Sequence, residues 1–164
     1  MTTYNLLKFL HILAAFWFIA GLIGRDLMRS VARQTDDIRL FSGLSQAAGR
    51  FETLMVVPGS LLVVVIGVFV ALRGGWPIFG FLEGADSNWL LLTNLLLLAN
   101  ILVVALIYLP RGKVFDQELQ HAVAAGVMTD GLRARFNDPI VRWAHYGELA
   151  SIFIIVALMV FKPF

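Results

Sequence analysis

The chain has 164 residues, 59% of them hydrophobic and only 15% charged, and its mean hydropathy is +0.82. Soluble domains run at about half apolar and about a quarter charged, so this is the composition of a membrane protein. The absence of cysteine excludes disulfide scaffolds, thiolate metal sites and cysteine nucleophiles. A formal charge of +2 is too small for a nucleic-acid footprint.

Four apolar runs, at residues 4–24, 54–72, 89–109 and 143–161, are each long enough to cross a hydrocarbon core of about 30 Å at about 1.5 Å per residue. The first lacks the basic n-region and the small-residue cleavage site of a secretory signal, and is expected to stay as a mature helix. The expected fold is all-α, a single domain over residues 1–164 built as an integral-membrane four-helix bundle with long, partly helical cytoplasmic loops. Arg25, Arg29, Arg33, Arg39 and Arg50 fall in the first of these loops, and Arg111, Lys113, Arg133, Arg135 and Arg142 in the last. Lys8, Arg73 and Lys162 are the basic residues of the opposite side. The positive-inside rule therefore places both long loops in the cytoplasm and both termini outside.

Within the first loop, helical character continues over 24–34, and Thr35 or Asp36 is expected to cap a new helix through Ile38, Leu40, Phe41 and Leu44. Residues 114–128 set Phe115, Leu119, Ala122 and Val123 on one face and Asp116, Glu118 and Gln120 on another, an amphipathic helix expected to lie at the inner interface. Asn137-Asp138-Pro139 is a turn and N-cap signal for the last helix. The glycine-rich stretch 73–88 is expected to form a short interfacial hairpin.

An unpaired ionisable group in hydrocarbon costs at least about 2.5–3.5 kcal/mol, so each polar residue within a span needs a reason. His11 falls in the outer half of the first helix and His145 near the cytoplasmic end of the fourth. Their depths differ by about 15–20 Å, too far apart to ligate one haem iron. Two clusters follow. The outer one joins His11, Lys8, Met159 and Lys162, with Asn94 near them. An imidazole between cations suits a porphyrin, with His11 as axial ligand, Lys8 and Lys162 on the propionates and Met159 near the other axial position. Lysines near helix ends also snorkel to headgroups without any ligand. The inner cluster joins Arg25, Asp26, Glu52, Arg142, His145 and Glu148. His145, Glu148 and Glu52 have the types for a metal site or proton relay. Pairing of Arg25 and Arg142 with Glu52 and Glu148 would instead fix how the helices meet the loops. Asn100 reads as interhelical glue, and Trp17, alone among the tryptophans, lies mid-span.

The run Leu7-Lys8-Phe9-Leu10-His11-Ile12, then Trp17-Phe18 and Gly21-Leu22, resembles the first helix of the HemJ-type protoporphyrinogen oxidases. Pro58-Gly59, Leu62 and Gly67 are similar to that family's second helix, Arg135-Phe136-Asn137-Asp138 to its segment before helix four, and Lys162-Pro163-Phe164 to its terminus. The resemblance implies a b-type haem, oxidation of protoporphyrinogen, and His11 as the matching histidine. The third helix departs from the pattern, having neither the lysine nor the Tyr-His of that family. Arg29-Ser30-Val31 likewise stands where the family has a further histidine. The arrangement is also similar to a family of small bacterial integral membrane proteins of unknown function, which begin K-x-x-H and end M-V-x-K-P. The expected function is thus a haem- or porphyrin-binding, HemJ-like redox protein of the inner membrane, with the bilayer and a membrane redox partner as its surroundings and room for a homo-oligomer. The alternative is a non-catalytic membrane subunit or scaffold. No nucleophile motif or phosphate loop supports hydrolase or phosphotransfer chemistry.

Overall fold

The computed structural model describes residues 2–163, so Phe164 of the terminal motif lies outside the described residues. The described residues are helical with no strand, and four helical stretches are long and apolar enough to cross a membrane. They fall into two compact units, Met1–Trp76 and Pro77–Phe164.

The first unit is a hairpin of two long helices. Helix α1 (Thr3–Ala32) begins at Thr2, whose hydroxyl accepts from the Asn5 N–H. Its 30 residues span about 45 Å, more than a bilayer core, so it projects beyond the apolar run as expected. Helix α2 (Ile38–Phe51) is capped by Asp37 rather than by Thr35 or Asp36: its carboxylate accepts from the N–H groups of Arg39 at 2.8 Å and Leu40 at 3.4 Å. The Thr35 hydroxyl accepts from the Asp37 N–H and steadies that cap. Ile38, Phe41 and Ala48 turn inward, and α2 packs along α1.

No break separates α2 from the second span. A π-helical turn, Glu52–Val56, leads directly into α3 (Val57–Gly74), making one rod of 37 residues. Pro58 is the cause. In an α-helix its ring would collide with the carbonyl of Leu54, four residues back, and it has no N–H to offer that oxygen. A wider turn makes room for the ring. The indole N–H of Trp17, on α1, donates to the Leu54 carbonyl at 3.4 Å. The mid-span tryptophan thus serves the carbonyl that proline cannot. Close approach of α1 here depends on glycine: a Cβ on Gly21 would lie 2.6 Å from that of Met55, and one on Gly59 would lie 3.0 Å from the Phe18 backbone. Gly75, at φ 67°, ends the rod.

The second unit opens with a loop containing one 3₁₀ turn, Gly80–Glu83, not the expected hairpin. Asn88 accepts from the Phe81 N–H through its side-chain oxygen, and the Asn94 amide donates to the Ile78 carbonyl at 3.0 Å. These bonds tie the loop to helix α4 (Trp89–Val103). A second π turn, Val104–Tyr108, then leads into α5 (Leu109–Ala125), again a continuous rod of 37 residues. Pro110 repeats the logic of Pro58. The expected separate helix at the interface is therefore an unbroken continuation of the third span, because the π turn absorbs the proline that would have broken it.

Gly126, at φ 71°, ends α5, and the short helix α6 (Asp130–Phe136) folds back on it from a Thr129 cap. Leu132 and Phe136 are buried there, with the Phe136 ring 5.9 Å from that of Phe115. Asp138 caps α7 (Pro139–Phe161), as Asn137-Asp138-Pro139 indicates, and its other oxygen accepts from Arg111 at 3.0 Å. Within this unit α4 packs against α7.

Gly59→Ala should therefore destabilise the first unit by about 1–3 kcal/mol through overpacking, read as a lower midpoint of denaturant unfolding in detergent. Gly43→Ala, where a Cβ meets nothing within 4 Å on a helix surface, should raise it by up to about 1 kcal/mol.

Candidate functional site

The α4–α7 seam of the second unit carries its most concentrated buried polarity. His145 and Glu148 lie three residues apart on one face of α7 and are 9% and 8% exposed. Tyr108, the last residue of the π turn, reaches both: its hydroxyl lies 3.1 Å from the His145 Nδ1 and donates to the Glu148 Oε2 at 3.1 Å. The His145 Nδ1 is 3.5 Å from the same carboxylate oxygen, and the phenol and imidazole rings stack with centroids 4.6 Å apart. One turn deeper, the buried Ser151 hydroxyl donates to the Glu148 backbone carbonyl at 2.8 Å and accepts from the Asn100 amide at 2.7 Å. Asn100 is thus helix–helix glue, as expected, and its partner is named.

The π turn is what aligns these groups. Eight residues of α-helix from Asn100 to Tyr108 would overshoot two full turns by about 80°. A turn that spends an extra residue on its circuit takes most of that back, so both side chains meet α7.

Of the residues proposed for the inner cluster, Arg25 and Glu52 meet in the first unit, with the guanidinium 2.8 Å from the Glu52 carboxylate and 3.4 Å from that of Asp26. Arg25 is only 4% exposed. Arg142 does not join Glu148. It is exposed, because two successive three-residue steps each fall about 60° short of a full turn and carry it to another face. Glu148 is met by Tyr108 instead. The metal reading of His145, Glu148 and Glu52 also lacks its third member in this unit, where the partner is a phenol. Among the described residues, three or more His, Asp or Glu side chains nowhere form a group that could hold a metal ion.

The residues proposed for the outer cluster fall in both units. In the first, the half-buried His11 ring rests on α3 where Gly67 has no side chain: a Cβ there would lie 2.9 Å from Cε1 and 3.3 Å from Nδ1. The ring faces the Val63 backbone, and its Nδ1 is enclosed with no hydrogen-bond partner. Lys8 is exposed. In the second unit, Lys162 ends α7 in the left-handed conformation at φ 45° and sets its ammonium 5.4 Å from the centre of the Trp89 ring, a cation–π contact. Met159 is half-buried.

A family model described as "Predicted integral membrane protein (DUF2269)" matches residues 5–163. The chain belongs to this family. No curated protein and no solved structure matches it. As a multi-pass integral membrane protein of the DUF2269 family, it places the Tyr108–His145–Glu148 group in a low-dielectric seam, where an acid, an imidazole and a hydroxyl in mutual contact have strong mutual influence. With the proton on Nδ1, His145 donates to the phenol oxygen while the phenol donates to Glu148, a continuous donor-to-acceptor chain.

Tyr108 was legible as an interior residue of the third span but not as a site residue. The signal for it was Pro110 two positions later, which demands a local change of helical pitch.

Proposed function

We propose that this is a proton-binding membrane protein whose centre is the Tyr108–His145–Glu148 group, holding and releasing a proton in support of a proton-coupled step at the membrane. The observation that carries this reading is the contact of three titratable side chains inside an apolar seam, with the His145 and Glu148 residues about nine-tenths buried. Ionisable residues at such depth mark proton or ion pathways more than they serve stability. The excess of Arg and Lys in the loops supports an orientation with this end of the second unit toward the cytoplasm of a bacterial cell and both termini outside.

The test is the infrared difference between protein in lipid at neutral and at acidic pH. A protonated-carboxyl band should grow as the pH falls, vanish in Glu148→Gln and shift in Tyr108→Phe. Identical spectra for wild type and Glu148→Gln would contradict the reading and leave the group as a device that fixes helix packing, the scaffold alternative.

A second reading, haem or porphyrin binding at His11, is favoured by one observation: a half-buried imidazole in an apolar seam whose enclosed Nδ1 has no hydrogen-bond partner. Because Nδ1 is enclosed, Nε2 would be the ligating atom. Lys8, one turn away on the same helix, would supply a cation for a propionate. A bound haem would supply one-electron chemistry. A dithionite-reduced minus air-oxidised spectrum of protein from haem-replete cells should then show a stoichiometric b-type signal that is lost in His11→Ala. A featureless spectrum would end this reading.

A further inference from the structure

The loop that opens the second unit divides in the middle. Pro77-Ile78-Phe79-Gly80-Phe81-Leu82 carries no charged or polar side chain, whereas Glu83, Asp86, Ser87 and Asn88 follow it. Phe79, Phe81 and Leu82 are 53%, 64% and 66% exposed, so three large apolar side chains are left uncovered. Glu83 and Asp86 are exposed as well.

Depth decides what these side chains meet. Trp89 opens both α4 and the apolar run 89–109, whose length of about 30 Å matches the hydrocarbon core. The Lys162 ammonium beside the Trp89 ring sets a cation at the same level, as suits a headgroup boundary. Asn94 lies five residues further in, about 7.5 Å along α4. Its amide donates to the Ile78 carbonyl at 3.0 Å. An Asn side chain and one hydrogen bond together reach about 7 Å, so the Ile78 carbonyl sits at or below the level of Trp89 however the amide leans. The loop thus folds down beside the first turns of α4 rather than standing above them, and Phe79 goes with it.

The backbone is satisfied as such a depth requires. Four consecutive carbonyls, from Ile78 to Phe81, each accept a hydrogen bond, in turn from the Asn94 amide and from the N–H groups of Leu82, Ala85 and Gly84. Pro77 has no N–H, and the Phe81 N–H donates to the Asn88 side chain at 2.8 Å. Gly80, at φ 56°, passes so near that side chain that a Cβ would collide with its oxygen. In water a loop carbonyl finds its donor in the solvent; in lipid it must find one within the protein.

We propose that residues 77–82 form a re-entrant wedge that seats Phe79, Phe81 and Leu82 among the acyl chains of the leaflet at the Trp89 end of α4. Glu83 and Asp86 stay at the headgroups above it. The partner of this surface is lipid. Asn94 is the latch that holds the wedge against α4, and Asn88 closes its turn. Asn94 thereby has a role apart from any ligand of the outer cluster.

The chain has no cysteine, so single-cysteine variants of the full chain can be spin-labelled without background. Labels at Phe79→Cys, Phe81→Cys, Leu82→Cys and Asp86→Cys are read by power-saturation EPR in vesicles of phosphatidylcholine and phosphatidylglycerol. The two relaxing agents are oxygen, which concentrates in lipid, and a neutral nickel chelate, which stays in water. The oxygen-to-nickel collision ratio at positions 79, 81 and 82 should exceed that at 86 several-fold. Adding Asn94→Leu to Phe79→Cys should bring the ratio at 79 toward that at 86, because the Ile78 carbonyl must then seek water. Equal ratios at all four positions would put the loop in water and overturn the wedge. Labels at 79, 81 and 82 closed to both agents would overturn it too, since protein, such as a second copy of the chain, would then cover the loop. An unchanged ratio after Asn94→Leu would overturn the latch.

Discussion

In hydrocarbon a backbone carbonyl without a donor is a cost of several kcal/mol, and proline inside a helix creates that problem by removing a donor and pressing on the carbonyl four residues back. This chain meets the problem twice, at Pro58 and Pro110, and both times with a π turn just before the ring. At the first, Trp17 brings an indole N–H to the Leu54 carbonyl, which requires α1 to lie close and so requires Gly21 and Gly59 to have no side chains. At the second, the change of pitch swings Tyr108 onto α7. Helix packing in one unit and the polar site in the other are consequences of the same constraint.

Each π turn also stands beside its unit's ionisable cluster. Glu52 opens the first and pairs with the buried Arg25; Tyr108 closes the second and joins His145 and Glu148. The two clusters differ in chemistry. Arg25 keeps its charge at any working pH, so its contacts with Glu52 and Asp26 form a fixed electrostatic tie. In the second unit the contacts join imidazole, phenol and carboxylate, each of which can change protonation state. A fixed tie suits structure, whereas an exchangeable group suits function, and this difference favours the second unit as the working centre.

Much of this was legible in the sequence. The four apolar runs gave the spans, Asp138 before Pro139 gave the cap of α7, and the His145–Glu148 spacing placed both side chains on one face. What escaped was everything that depends on helical pitch. Read from spacings of three and four alone, Pro110 looks like a break and Arg142 looks like a partner for Glu148. The π turn removes the break, and two three-residue steps, about 120° short of two full turns together, carry Arg142 off that face. Asp37 outcompeted Thr35 and Asp36 as a cap because its carboxylate reaches two N–H groups at once, a matter of loop geometry that composition does not encode. Helix α6 is a similar case: with only seven residues its apolar period is too short to announce itself, and it forms because Leu132 and Phe136 find cover on α5.

The central claim is that the π turn delivers the Tyr108 hydroxyl to the His145–Glu148 pair. Solid-state NMR of isotopically labelled protein in lipid bilayers addresses it directly, through the carbon–carbon correlation between the Tyr108 ring Cζ and the Glu148 carboxyl Cδ. The account expects that cross-peak, together with one from Tyr108 to the His145 ring. A spectrum in which Tyr108 correlates with lipid alone and Glu148 with the Arg142 guanidinium would contradict it.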